Sequence, residues 1–356
     1  MADTMQPGRD RRPTLADVAA RAGVSTALVS IAIRDVPGVS ASTRERILRV
    51  AEEMGYRPDT RARLLRSNRS HLIGVCFGVQ HAFHGDLVGA LYDAAESAGY
   101  ELALSAVTAN RDERRAVASL LQDRCEAIIL LGPAAPPGYV TELAARLPLV
   151  VVARAVRGVD VVRTADDEGL QQAVDHLVGL GHRRIAHIDG GRAPGAAERR
   201  RGYRQAMERH GLGAEIRVIA GGLTEDEGAA GAHTLLAQHP RPTAVAVFND
   251  RSATGVLDVA RTAGLAVPGD LSVVGFDNSR LALLSQFDMT TVAQDAKRIA
   301  GLAVARVIDR LDGNPITRRE QITPPQLIIR STTSPPADHR RTTLDATDRR
   351  LTQAPA

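Results

Sequence analysis

The sequence predicts two architectures in series: an all-α helix-turn-helix headpiece, then an α/β core of two doubly wound lobes. Three observations carry that prediction. Residues 14–33 (TLADVAARAGVSTALVSIAI) read as two short helices around a tight turn. From Ser70 onward, apolar strand-like runs alternate with amphipathic helical segments, and the series occurs twice. At 356 residues the chain is too long for one compact core and suits a small domain plus one or two larger lobes. Aromatics make up only 3% of the residues and tryptophan is absent, which favours helix-rich α/β packing over a β-sandwich.

Residues 1–12 read as a disordered basic leader. The domain that follows spans 13–57. Thr14 is a hydroxyl N-cap, and Asp17 three residues on can accept the first orphan backbone N–H groups. Leu15, Val18, Ala19 and Ala22 form an apolar stripe at helical spacing, and Gly23 ends the helix in a conformation glycine adopts at least cost. Ser25 caps the second helix, whose Leu28, Val29 and Ala32 pack back on the first. The face left over carries Ser25, Thr26, Ala27, Ser30 and Ile31, all small enough to enter a major groove. By periodicity alone, such a pair reads equally as a helical hairpin in a core. A third helix follows, with a capping box expected at Ser42 and Glu45, and with Ile47, Val50, Ala51 and Met54 closing a three-helix core.

The next segment, 58–70, reads as a hinge helix and linker. Pro58 fits the first turn of a helix, and Ala62 and Leu65 are three apart on one face. A helix this short is not stable in water without a partner, and the other reading is a plain linker with an incidental leucine. Charge divides at the same place. Residues 1–70 hold 13 arginines against 8 acidic residues, net +5, and the remaining chain is net −1. A basic headpiece on a near-neutral body is the split expected of a polyanion-binding module.

In the core, strands are expected at 72–78, 101–107, 127–132 and 149–154, then at 185–189, 215–220, 244–249 and 272–277, with helices between. Two such lobes place the carboxyl ends of their strands face to face, where small ligands bind. Asn249 and Asp250 close one strand and Asp277 another, and Gln294 lies in the segment TTVAQD; for Asp250 the expected role is the N-cap of a helix over 250–263. His81 and His84 read as polar lining of the first cleft loop rather than metal ligands, because no third ligand is spaced to join them. Cys76 and Cys125 lie far apart in apolar surroundings and read as buried reduced thiols. No apolar run approaches the ~18 residues of a membrane span, and the first residues (MADTMQPGRDRRP) have charge but no apolar stretch of a secretory signal. The expectation is a cytoplasmic protein without a membrane partner. Residues 337–356 are polar, without an apolar repeat, and read as a disordered tail.

Seven motifs in register extend these readings. VSASTRERILRVAEEMGYRPDTRARLLRS, RIAHIDGG, AERRRGYRQAM, PTAVAVFNDRSATGVL, LSVVGFDN, TTVAQD and LIIRSTTSPP resemble, in order and spacing, the lac repressor (LacI/GalR) family of bacterial transcription regulators. The resemblance runs to about Pro336. It implies a periplasmic-binding-protein-like core over 71–336, with lobe crossings near 181, 294 and 324. The function it implies is a ligand-responsive repressor that binds a palindromic double-stranded operator as a homodimer. The leucine heptads that some members use to form tetramers are lacking.

Position by position, the resemblance assigns DNA binding to Thr14, Ser25, Thr26, Ala27, Ser30, Ile31, Arg34, Thr43, Tyr56, Arg61, Ala62 and Leu65. Leu65 matches the leucine that the family inserts in the minor groove, with Ala62 the small residue beside it. Ile31 departs from the pattern, standing where many members have an arginine that reaches guanine. An isoleucine there either touches a thymine methyl or packs between helices. Effector binding is assigned to Arg199, Asn249, Asp277 and Gln294, for a small polar ligand, sugar-like or nucleoside-like. Leu223 stands where some members have a stacking ring. Two other classes share the lobe architecture. A solute-binding receptor is disfavoured by the basic headpiece and the missing signal sequence. An α/β enzyme is disfavoured because no nucleophile elbow, P-loop or metal triad is present, and no catalytic residue, metal or cofactor is expected.

Overall fold

The computed structural model describes residues 13–33, 36–56 and 69–337. Contacts divide the chain into two compact units, Met1–Ser70 and His71–Ala356. The first holds α1 (Leu15–Ala22), α2 (Thr26–Ile33) and α3 (Ala41–Glu53). The capping box of α1 forms: the Asp17 N–H donates to Thr14 Oγ1 (3.3 Å), and the Thr14 N–H donates back to Asp17 Oδ2 (2.7 Å). Gly23 then takes the left-handed conformation at φ 65°, which lets the chain turn directly into α2. Val18, Val29 and Ile47, all fully buried, join Ala19, Ala22, Ala32 and Ala51 in one small core.

The expected cap of α3 needs correction. Ser40, not Ser42, has the extended backbone of an N-cap, and its hydroxyl accepts the Thr43 N–H at 3.3 Å. Ser42 already lies in the first turn. Two serines two residues apart offer the same signal, and the backbone selects the earlier one. The leader 1–12, Arg34, the segment 57–68 with Pro58, Arg61, Ala62 and Leu65, and the tail from 338 onward lie outside the described residues.

The second unit is a pair of lobes, each a six-stranded sheet covered on both faces by helices. The first sheet runs β11-β5-β4-β3-β1-β2, built from β1 (Leu72–Gly78), β2 (Glu101–Val107), β3 (Ala127–Leu131), β4 (Leu149–Val152), β5 (Asp160–Thr164) and β11 (Glu320–Thr323). Its helices are α4 (Ala82–Ser97), α5 (Glu113–Gln122), α6 (Pro137–Ala144) and α11 (Ala296–Leu311). The second sheet runs β12-β10-β9-β8-β6-β7, built from β6 (Ile185–Asp189), β7 (Arg217–Ala220), β8 (Ala244–Val247), β9 (Ser272–Asp277), β10 (Thr291–Ala293) and β12 (Gln326–Ile328). Its helices are α7 (Asp166–Gly179), α8 (Ala196–Arg209), α9 (Glu225–Leu236) and α10 (Asp250–Thr262). Every strand pairing is parallel except β10 with β12. Two apolar clusters flank each sheet, so most strand residues of β3, β4, β6, β8 and β9 are buried on both faces.

The chain passes between lobes after β5, after β10 and after β11, that is at 164–166, 294–295 and 324–325. The first of these replaces the expected crossing near 181. Helix α7 puts Leu170, Ala173, Val174 and Leu177 into the second lobe's core, so the chain has already changed lobe when that helix begins. Strand β5 escaped the sequence reading because DVVRT is half polar. Its buried Asp160 is held by Arg306 Nη1 (3.2 Å) and Arg310 Nε (2.5 Å) of α11, and Arg163 by Glu320 Oε1 of β11 (2.6 Å). Cys76 and Cys125 are buried free thiols whose pKa burial pushes up to about 12, leaving them neutral. Among the described residues, no single helix is long and apolar enough to cross a membrane.

Candidate functional site

Two surfaces carry candidate chemistry, one in each unit. On the headpiece, Ser25, Thr26 and Ala27 are exposed at the start of α2, with Ser30 and Ile31 half-buried one turn on. Ser25 Oγ accepts the Leu28 N–H at 3.2 Å, so this hydroxyl caps the helix that presents the face. Ile31 lies outside the described headpiece core, which gathers Leu15, Val24, Leu28, Ile33, Val50, Met54 and Tyr56 around its buried centre. Tyr56 is therefore partly a packing residue. Thr14 is committed to its capping box, and Thr43 Oγ1 accepts from Ser40 Oγ at 2.8 Å.

Between the two lobes lies a narrow cleft, lined by His81, Phe83, His84, Ala153, Pro194, Arg199, Phe248, Asn249, Asp277 and Gln294. All four residues assigned to the cleft from the sequence are present. They arrive from strand ends and helix starts: Asn249 follows β8, Asp277 ends β9, Gln294 follows β10, and Arg199 sits in the first turns of α8. From the first lobe come His81 and the start of α4. Two cleft residues hold left-handed backbone that L side chains rarely adopt, Ala153 at φ 63° and Asp277 at φ 110°.

Arg199 is the electrostatic centre. Its Nε donates to Asp166 Oδ1 at 2.8 Å and its Nη1 to the Phe248 carbonyl at 2.6 Å, while Nη2 lies 3.7 Å from Asp277 Oδ1. The guanidinium is sandwiched by rings, 3.6 Å from the Phe276 centroid and 4.5 Å from that of Phe248. Gln294 links the lobes: its Nε2 donates to Asp277 Oδ1 (2.7 Å), and its Oε1 accepts from Thr164 Oγ1 (2.8 Å). Asp277 is pushed up to about 8, chiefly by burial, with Arg199 opposing and Asp250 adding to the rise. Asp166 is raised by burial against the pull of Arg199. The stacked rings of His81 and His84, 4.3 Å apart, are lowered by burial to about 4 and about 3, so both are neutral at pH 7. One guanidinium, two acidic side chains whose charged form burial disfavours, and two neutral imidazoles therefore face one another across the cleft.

The structure also reassigns roles. Asn249, not Asp250, caps α10: its Oδ1 accepts the Ser252 N–H at 2.7 Å, and its Nδ2 donates to the Leu223 carbonyl (3.2 Å). Asp250 instead is fully buried in the first turn and accepts from the Ser279 N–H (2.7 Å), Ser279 Oγ (3.0 Å) and Thr291 Oγ1 (2.6 Å). The correction has a simple cause, since the cap is the residue with extended φ and ψ, and here that is Asn249. Sequence reasoning missed Asp166, Thr164, Ala153, Pro194 and Phe248. For Asp166 a signal existed, an acidic run (DDE) opening a helix, but its partner Arg199 is 33 residues away. Among the described residues, no group of three or more His, Cys, Asp or Glu side chains is placed to hold a metal ion.

Asp277→Asn is expected to change how core stability depends on pH. Between its ordinary value of 3.8 and about 8, Asp277 keeps its proton in the folded protein while the unfolded chain has lost it. The folded state then binds more protons, so this group makes stability fall as pH rises through that window. The asparagine variant should show a shallower fall in melting temperature from pH 4 to 8. Parallel profiles for the two proteins would mean that Asp277 is ionised throughout.

A helix-turn-helix unit in series with a two-lobed core around a polar cleft defines a class, DNA-binding regulators that carry an effector-binding domain. Residues 14–59 match the family described as "Bacterial regulatory proteins, lacI family", and residues 174–333 match the "Periplasmic binding protein-like domain". The chain is similar to the HTH-type transcriptional regulator DegA of Bacillus subtilis, 31% identical over 91% of this chain and 99% of that protein. Its fold is similar to a LacI transcriptional regulator from a Rhodococcus species, 50% identical over 74% of this chain and 98% of that one, with a TM-score of 0.72. It is also similar to the lac repressor dimer bound to operator and the anti-inducer ONPF, 28% identical over 91% of this chain and all of that one, with a TM-score of 0.78. The chain belongs to the lacI family of bacterial regulatory proteins, transcriptional regulators with a DNA-binding helix-turn-helix and an effector-binding core.

Proposed function

We propose that the protein acts in the cytoplasm as a homodimeric repressor without enzymatic activity. It binds a palindromic operator through its headpieces and responds to a small polar effector in the cleft. The observation that carries this reading is the cleft itself, lined from both lobes and by all four of Arg199, Asn249, Asp277 and Gln294. A ligand there touches groups on either side and so favours one lobe arrangement over another, which any ligand control of DNA affinity requires. The relatives supply the other half, since the lac repressor structure is a dimer on operator DNA.

Footprinting on the gene's own upstream region tests it. A symmetric dimer needs two half-sites related by a two-fold axis, about 10 bp apart centre to centre. A monomer protecting a single asymmetric half-site would sink the proposal. For the effector, a thermal-shift screen over sugars, sugar phosphates and nucleosides reads binding directly, since a ligand specific for the folded state stabilises it by mass action.

Ile31 gives a sharper test of the headpiece. It is half-buried and stands apart from the described headpiece core, which favours base contact over packing. Ile31→Ala is expected to weaken binding by at most ~1–3 kcal/mol, and mainly on operators with a thymine methyl at that step. Equal loss on all sequences, with a lower melting temperature, would make Ile31 a packing residue.

A further inference from the structure

The residue that opens the exposed surface of α10 has a contact pattern that neither helix stability nor the cleft lining explains. Arg251 is the second residue of that helix, where the backbone dipole presents its positive end, a position that disfavours a cation. Its side chain turns to two other partners. Nε donates to Glu225 Oε2 at 2.7 Å, on the neighbouring α9 of the same lobe. Nη1 crosses to the first lobe, donating to the Gln80 carbonyl at 2.9 Å and reaching Gln80 Oε1 at 3.2 Å.

We propose that Arg251 is a cross-cleft positioning residue: anchored by Glu225, it holds the Gln80 turn and fixes the closed arrangement of the two lobes. The placement gives it leverage. The chain crosses between lobes at the ends of β5, β10 and β11, on one side of each sheet. Gln80 follows β1, three strands from β5, and Arg251 follows β8, two strands from β10, so their bond closes the cleft well away from the three connections. Gln80 also directly precedes His81, and its turn leads into the first residues of α4, so holding it fixes the first lobe's wall of the cavity. A guanidinium suits the task, because its planar fork can serve a carboxylate and a carbonyl at once while a lysine ammonium cannot span both in one geometry. This inference rests on the proposal that the cleft is the regulatory site, since closure matters to function only there.

The test measures lobe separation in the full-length chain without any effector. Spin labels at Glu142 and Asp226, exposed on the first and second lobe respectively, report it by pulsed electron resonance. The parent labelled protein should give a narrow short-distance population. Arg251→Ala should lose most of it to longer, broader distances, Arg251→Lys should lose part, and Glu225→Ala should resemble the alanine variant. All should melt within a few degrees of the parent, because these side chains lie at the surface. An unchanged distribution in Arg251→Ala would overturn the proposal, and so would full rescue by lysine, which would reduce the requirement to charge alone. Gel-shift binding to the upstream DNA, run on the same samples, keeps the two readings separate. Intact DNA binding with unchanged distances rejects the positioning role only, whereas altered distances with no DNA binding by any sample reject the repressor reading only.

Discussion

Arg199→Ala is expected to lower the stability of the two-lobed core by about 3–5 kcal/mol, the cost of leaving a buried charge without its partner. The guanidinium is buried to 5% exposure between two phenylalanine rings, and its removal strands Asp166, its direct partner at 2.8 Å, which has almost no access to water. For a unit of this size that is a fall in melting temperature of roughly 6–20 °C. Arg199→Lys should fall between, because it keeps the charge but cannot hold Asp166 and the Phe248 carbonyl together. Adding Asp166→Asn to the alanine variant should recover part of the loss. If Arg199→Ala melts within ~2 °C of the parent protein, the cluster carries no such load. A lost effector response in Arg199→Ala therefore does not by itself identify a ligand contact.

Gly202→Ala should be comparably damaging for a different reason. Gly202 lies on α8 where it crosses α7, and a Cβ there would sit 2.1 Å from the Asp167 carbonyl oxygen. That neighbour is backbone, so relief requires moving a helix. Overpacking typically costs ~1–3 kcal/mol, and the rigid obstacle here puts the expected loss at or above the top of that range. It far exceeds the ~1 kcal/mol that alanine gains over glycine in a helix. The same shift would pull Asp166, one residue from the point of contact, away from Arg199. Gly138→Ala is the matched control, since nothing lies within 4 Å of its Cβ position, and it should be neutral or slightly stabilising. Denaturant midpoints of the two variants decide it. A stability for Gly202→Ala equal to that of the control would mean the helices do not meet as closely as described.

The physical origin of each signal explains what could be read from the chain. The caps at Thr14 and Ser25 and the strands β1, β2, β6 and β9 are local, written in residues a few positions apart, and were legible. Strand β5 was not, because its polar ends are satisfied by residues far along the chain, with Arg306, Arg310 and Glu320 all about 150 positions away. The cleft shows the same division. Asn249 and Asp277 were found as polar residues closing apolar strands, Gln294 by its place in the segment TTVAQD, and Arg199 by motif. Their division of labour was hidden: Asn249 is occupied by the cap of α10 and by Leu223, and Arg199 is as much a structural tie as a ligand-facing group. Asp166 could be placed beside Arg199 only once the chain's change of lobe at 164–166 was known.

That threefold passage between lobes also bears on how the protein comes to exist during synthesis. The first lobe's sheet is missing its β11 edge, and one face of its core is missing the Ile299, Ala300, Ala303, Val304 and Val307 face of α11, until the ribosome has made nearly the whole core. Arg163 waits for Glu320, 157 residues later, on the order of 8–30 s at ~5–20 residues per second. Through that interval a nearly finished lobe exposes a bare apolar face and an unpaired strand edge, the features that recruit chaperones and seed aggregation. Neither lobe can be excised as an interval of sequence, so yield on overproduction should depend more on translation rate and chaperone supply than on the stability of the finished fold.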